Sequence, residues 1–182
     1  MKQHPLIATA RLHLIPCDLQ HFEAILHDQR HLAQLLGATV VDNWFEFPGV
    51  AGLDAIRYSY AYLQSHPDAL GWWTYLFIHV PDRTLVGIGG YYGPTDDAGR
   101  VELGYAIIPA YRGQGLATEA AAGLIAHAFA DPHIQRVDAH TLAEPNASTR
   151  VLEHVGMVRV GSAPDPEVGT VWAWSVGREA YR

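Results

Sequence analysis

"YRGQGLATEA", residues 111–120, decides how this chain is read. Gly113, Gly115 and Ala117 alternate with Arg112, Gln114 and Leu116, and an alanine-rich segment follows at once. Bare backbone directly before a helix has a physical use. A helix N-terminus carries unpaired N–H groups and about half a positive charge. Glycines let a bulky anion approach those groups, and Arg112 adds a fixed cation with a planar donor fork. Arg112, Gly113, Gln114, Gly115, Leu116, Ala117 and Thr118 therefore read as a cradle for a phosphate or pyrophosphate. Spacing argues against two familiar loops. A nucleoside-triphosphate loop needs lysine and then Ser/Thr after its last glycine, but Leu116 and Ala117 stand there. A dinucleotide fingerprint wants glycine or alanine where Thr118 stands. A turn using glycine only for its positive φ is the plain structural alternative.

Working outward, "ARLHLIP" (10–16) alternates and reads as a strand. Asp18 reads as the cap of a helix to about Leu36, with Phe22, Ile25, Leu26 and Leu32 facing inward. Residues 37–50 are irregular and aromatic; 51–65 read as a second helix, ended by His66-Pro67. "WWTYLFIHV" (72–80), "LVGIGGYYG" (85–93) and "RVELGYAII" (100–108) form a meander joined by turns, stopped by Pro109. A helix over about 116–130 follows, then a strand at 136–142. "NASTRVLEHV" is a short helix closed by Gly156, and "MVRVG" and "VGTVWAWSV" are the last strands. The expected fold is α+β: a mixed, mostly antiparallel central sheet of about seven strands flanked by about four helices. Residues 1–182 fit one domain.

Composition narrows the partners. The one cysteine, Cys17, allows no internal disulfide and reads as a small apolar filler. A formal charge of −7 argues against a nucleic-acid surface and suits a cationic or amine partner. No stretch reaches the roughly 18 apolar residues of a membrane span, and the opening lacks a secretory apolar core, so a cytoplasmic protein is expected. His27 and His31 sit four apart without an evident third ligand, which reads as a solvated helix face and not a metal site.

The run "ELGYAIIPAYRGQGLATEA" (102–120) resembles the GNAT superfamily of N-acetyltransferases. Arg112, Gly115 and Ala117 match its Arg/Gln-x-x-Gly-x-Gly/Ala pattern. "ELGY", "EPNASTRVLEHVGM" (144–157) and "TARLHLIP" (9–16) look most like the Rim-type branch, which acetylates N-termini of ribosomal proteins. The resemblance runs from about Thr9 to Val160 and is weakest over residues 37–75. It implies a GNAT-like acyltransferase fold with acetyl-coenzyme A (acetyl-CoA) as co-substrate. It also implies the pyrophosphate on the amides of 112–118, and pantetheine along the strand Tyr105–Ile108, where that strand splays from its neighbour. Main-chain N–H near Ile107 would then polarise the acetyl carbonyl, with Ile107 and Ile108 as cofactor contacts.

Acetyl transfer to an amine needs a neutral amine, a polarised carbonyl and a stabilised leaving thiolate. At neutral pH roughly one α-amino group in ten is neutral, against about one lysine in 2,500. An α-amine acceptor therefore asks less of a base. Glu102 is the candidate base, directly or through a water, with small Gly104 and Ala106 beside it; a solvated carboxylate or a structural pair is the alternative. His140 is the rival base. Many superfamily members protonate the thiolate with a tyrosine, but aligning on Gly156 puts Leu152 there. Ser148 is then the candidate hydrogen-bond donor to sulfur, or else a helix N-cap. Pro145 holds the place of the family's asparagine, so Asn146 either contacts the cofactor or caps the helix. Trp44, Phe45, Trp72, Trp73 and Tyr91 line an acceptor mouth, or else belong to the core or a homodimer contact. "GIGGYYG" reads as bulge glycines or close backbone approach, not a second anion loop. The expected function is acetyl transfer from acetyl-CoA to a primary amine, for instance a protein or peptide N-terminus. A catalytically silent CoA-binding sensor and a nucleotide binder are the alternatives.

Overall fold

The computed structural model describes residues 6–42, 44–45 and 52–181; the rest of the aromatic 37–50 stretch lies outside them. In chain order the elements are β1 (Ile7–Ala8), β2 (Leu12–Pro16), α1 (Leu19–His27), α2 (Gln29–Leu36), α3 (Leu53–Ser65), β3 (Thr74–His79) and β4 (Thr84–Tyr91). There follow β5 (Arg100–Ile107), α4 (Leu116–Ala130), β6 (Arg136–Leu142), α5 (Ala147–His154), β7 (Val158–Asp165) and β8 (Gly169–Gly177). One sheet holds all eight strands in the order β1-β2-β3-β4-β5-β6-β8-β7.

Two details differ from the sequence reading. The expected helix over 18–36 is two helices, because Asp28 takes an extended backbone (φ −152°) and accepts from the N–H groups of Arg30 and His31 at 3.0 Å. A short acidic side chain competes for backbone donors in this way. His27 ends α1 and His31 lies in α2, so the four-residue helical face they would share does not exist. The extra strand is β1, which pairs with β2 after a turn closed by Thr9 N–H to the Leu12 carbonyl (2.9 Å).

Alternation sorts the side chains of β4 and β5 onto two faces. Tyr91 donates its hydroxyl to the Leu124 carbonyl at 2.6 Å, which puts α4 on its face. Leu116, Ala120, Ala121, Leu124, Ile125 and Ala128 of α4 are buried, and the small ones let the helix lie close to the sheet. Ile88, Gly90 and Gly104 turn to the other face, where α3 covers them. The glycines of β4 do mark close approach: a Cβ on Gly89 would stand 2.6 Å from the Gly104 carbonyl oxygen.

β5 and β6 are parallel neighbours for only three residue pairs, Arg100↔Arg136, Val101↔Val137 and Glu102↔Asp138. Beyond these β5 runs on to Ile107 beside β4, while β6 runs on to Leu142 beside β8. The sheet opens between them.

The start of α4 is clasped from below. Glu119 accepts from the Thr9 hydroxyl (2.6 Å), the Arg11 backbone N–H (2.6 Å) and Arg11 Nε (2.8 Å). Arg11 Nη1 also donates to the Gln114 carbonyl at 2.9 Å. Partial burial works to raise the Glu119 pKa, but the hydrogen bonds from Thr9 and Arg11 outweigh it and hold the carboxyl below its usual range. Such a group adds stability above its unfolded-state pKa and loses it as pH falls through the folded-state value. The unfolding free energy should therefore lose a component below about pH 4. Denaturant titrations at several pH values should find that component missing from Glu119→Gln; an unchanged acid limb would show that the clasp carries none of it.

Candidate active site

The loop before α4 has the geometry of an anion cradle. Gly113 (φ 72°) and Gly115 (φ 77°) are left-handed, a conformation costly for any residue with a Cβ. A Cβ on Gly113 would meet nothing within 4 Å, so the loop fronts open space. Gly115 is the N-cap and supplies no side chain, and the first helical N–H to bond back is that of Glu119, to the Gly115 carbonyl (3.0 Å). The N–H groups of Leu116, Ala117 and Thr118 are thus free of helix partners, as the first turn requires. Arg112 folds back, Nε donating to the Ile107 carbonyl at 2.9 Å, and ties the loop to the end of β5.

The open edge of β5 continues the cradle. The Glu102 carbonyl and the Ile108 N–H bond to the β4 side. Main-chain groups alternate along a strand, so those of Leu103, Tyr105 and Ile107 turn toward β6, which has diverged. A cavity of about 150 Å³ occupies this opening.

Two side-chain pairs border it. His140 Nδ1 and Glu102 Oε1 are 2.8 Å apart across the two strands. The two candidate bases are therefore partners. When Nδ1 carries a proton, Glu102 accepts the hydrogen bond. On the opposite face Tyr105 Oη lies 3.0 Å from Ser148 Oγ. Burial pushes the Tyr105 phenol up to about 12, against a smaller opposing effect of Ser148. Ser148 is not the helix cap. Asn146 is: its side-chain oxygen accepts from the Thr149 N–H at 3.0 Å and its Nδ2 donates to the Glu144 carbonyl at 3.0 Å. Both polar atoms of Asn146 are thereby engaged within the cap, whereas Ser148 and Leu152 border the cavity. Asp138, on the strand face of His140, is paired with Arg136 (2.8 Å).

A larger cavity of about 300 Å³ lies between α3 and the β4–β5 ladder, and it shares Tyr92, Gly104 and Tyr105 with the first. Bare backbone at Gly104 makes room at the junction, since a Cβ there would stand 2.7 Å from Tyr92 Oη. Of the aromatic residues expected at an acceptor mouth, Trp73 lines this cavity, whereas Tyr91 belongs to β4 beside it and turns its ring to the α4 face. Trp44 is instead buried in the core beside Phe45, and Trp72 packs on Tyr91 and His127. Sequence reasoning missed the Arg11 clasp, the Tyr105 hydroxyl, Tyr92 and Tyr58. The available signal was Gly104, a bare residue in a strand facing a double tyrosine.

Among the described residues no three or more His, Cys, Asp or Glu side chains group as a metal site, and no helix is long and apolar enough to cross a membrane. The chain is similar to the N-acetyltransferase YjdG of Bacillus subtilis (strain 168), 26% identical over 153 residues, covering 84% of this chain and 89% of that one. Its fold is similar to that of a GNAT-family acetyltransferase from Bacillus anthracis (TM-score 0.65, 20% identity, 96% of this chain and 99% of that one). It is also similar to RimL, the ribosomal L7/L12 α-N-protein acetyltransferase, in complex with coenzyme A (TM-score 0.66, 16% identity, 97% and 99%). The acetyltransferase (GNAT) domain family matches residues 11–158, from the Arg11 clasp through the cradle, the opened strands and the helix of Ser148, and this chain belongs to that family.

Proposed function

We propose that this acetyltransferase moves the acetyl group of acetyl-CoA onto a primary amine, an α-amine at a peptide or protein N-terminus, by direct attack in a ternary complex. One observation carries the reading. The opened strands have a proton-accepting pair on one face, Glu102 and His140, and a proton-donating pair on the other, Tyr105 and Ser148. The name of RimL as an α-N-protein acetyltransferase supports the α-amine. One sheet running from Ile7 to Gly177 supports a single acetyltransferase domain.

Acetyl-CoA supplies an activated thioester carbonyl and a leaving thiolate. The chain's residues do the rest. The amides of Gly113 through Thr118, with Arg112, hold the pyrophosphate, and the cradle fits it because Leu116, Ala117 and Thr118 have N–H groups without helix partners and the loop at Gly113 fronts open space. Ile107 and Ile108 flank the pantetheine along the open edge of β5. Asn146 contributes by setting the start of α5. Glu102 and His140 take one proton from the arriving ammonium, leaving a neutral amine to attack. Main-chain N–H on the open side of β5 meets the carbonyl oxygen as negative charge builds there. Ser148 delivers a proton to the departing sulfur and recovers one from Tyr105. Once Glu102 and His140 have released the first proton to solvent they take the second from the nitrogen, and solvent returns a proton to Tyr105; one net proton leaves, giving an N-acetyl amine and free coenzyme A. A silent CoA-binding sensor is disfavoured, because Tyr105 and Ser148 supply the donor that Leu152 cannot.

Four variants test the assignment through thiol release and calorimetric coenzyme A binding. Glu102→Gln should lower kcat by roughly 10²-fold or more while coenzyme A affinity stays within about twofold; unchanged kcat removes the pair from the chemistry. Tyr105→Phe and Ser148→Ala should each lower kcat by about tenfold with little change in KM. Loss of thermal stability without loss of kcat would make them structural. Gly115→Val puts a branched Cβ at positive φ and should weaken coenzyme A binding by more than about tenfold; retained affinity would mean the cradle binds something else.

A further inference from the structure

The 300 Å³ cavity between α3 and the β4–β5 ladder carries a statement about the acceptor. We infer that the acceptor is a primary amine whose body next to the reacting nitrogen is bulky, uncharged and apolar, a ring-bearing group above all. This rests on the transferase reading above.

Its lining decides this. None of the side chains that line the cavity among the described residues is charged. Ile56 and Ile88 give it aliphatic surface, and Tyr58 and Trp73 bring rings to it. Trp73 is held in place: Tyr62 stacks on it at 4.5 Å with 13° between the planes, and Tyr58 lies 6.1 Å away. The Ser59 hydroxyl is already spent on the Ala55 carbonyl at 2.8 Å. A volume of about 300 Å³ is at the small end of ligand sites, room for one side chain or ring and not for a folded surface. The cavity joins the catalytic opening beside Gly104, where the Glu102–His140 pair waits. An amine reaching that pair would therefore leave its body among Ile56, Tyr58 and Trp73. Among the described residues, a second ammonium group on that body would find no carboxylate in the cavity to offset its lost hydration. Polyamines and aminoglycosides fit worse on that ground. A chain N-terminus with a large apolar first residue and a free arylalkylamine share the chemistry that fits.

The test uses the whole chain with saturating acetyl-CoA and measures thiol release. The acceptors are peptides that differ only in a first residue of Phe, Leu or Ser, then 2-phenylethylamine, spermidine and kanamycin. The Phe-first peptide or 2-phenylethylamine should exceed the Ser-first peptide and both polycations in kcat/KM by about tenfold or more. The better of those two identifies the source as a polypeptide end or a small molecule. Tyr58→Ala, at an exposed position of α3, should shrink the ratio between Phe-first and Ser-first peptides. Turnover that is equal across the set, or best with a polycation or the Ser-first peptide, overturns the acceptor class and leaves the transferase reading standing. No thiol release with any amine, while coenzyme A still binds, overturns both.

Discussion

Parallel pairing between β5 and β6 ends after Glu102 and Asp138, and the site is a consequence of that ending. Each strand is fully engaged on its far side, β5 with Gly87 to Tyr91 of β4 and β6 with Val171 to Gly177 of β8. Neither can swing across to close the gap without breaking a ladder. The inner edges of both strands therefore keep main-chain donors and acceptors without partners from the sheet. Leaving such groups unsatisfied once buried costs roughly 1–3 kcal/mol each. Arg112 answers for one of them, the Ile107 carbonyl. Water or an amide-bearing ligand must answer for the rest, and pantetheine carries amides. Here a gap in the sheet selects a ligand shaped like a strand.

Charge at the cradle is arranged just as locally. The chain has a formal charge of −7, so its overall field does not attract a pyrophosphate. Glu119 would make matters worse in the first turn of α4, directly below the site. Thr9 and Arg11 remove that problem by surrounding its carboxylate, and the Arg11–Glu119 pair is close to neutral. What remains for an anion is the backbone of residues 113–118 and the guanidinium of Arg112. These donors are fixed by the fold and by glycine dihedrals, so they need little rearrangement on binding.

Much of this was legible in the sequence between residues 100 and 158, where glycine spacing, strand alternation and a bare loop each restrict the backbone. The helix at 116–130 and the strand at 136–142 fall where the pattern puts them. The break at Asp28 was not read, because a continuous apolar face spans it while one side-chain oxygen takes two backbone donors. Site residues were readable as types and not as partners. Glu102 and His140 are 38 positions apart, Tyr105 and Ser148 are 43 apart, and Arg11 and Glu119 are 108 apart. Each pairing follows from strand register and helix docking, which no local spacing encodes. The choice between Asn146 and Ser148 as cap had the same character. Both suit the role, and Thr149 settles it by closing a reciprocal pair with Asn146 that leaves Ser148 free to meet Tyr105.

In the proposed mechanism, placing the two proton-handling pairs on opposite faces of β5 solves a problem that a single cluster could not. An acid and a base in contact exchange a proton and cancel each other. Glu102 and Tyr105 differ by an odd number of positions on one strand, so their side chains leave the backbone in opposite directions. Tyr105 sits among buried groups that push its phenol up to about 12, and it stays protonated at neutral pH. Glu102 and His140 are about one-third exposed, each side chain in touch with water. In the proposed mechanism one strand thickness separates the pair that takes a proton from the pair that gives one. The gap in the sheet joins them beside Gly104, where Tyr92 Oη stands 2.7 Å from the position a Cβ would take. In the proposed reaction a thioester lying in that gap would meet an amine from one face and lose its thiolate toward the other, a direction that strand alternation would set.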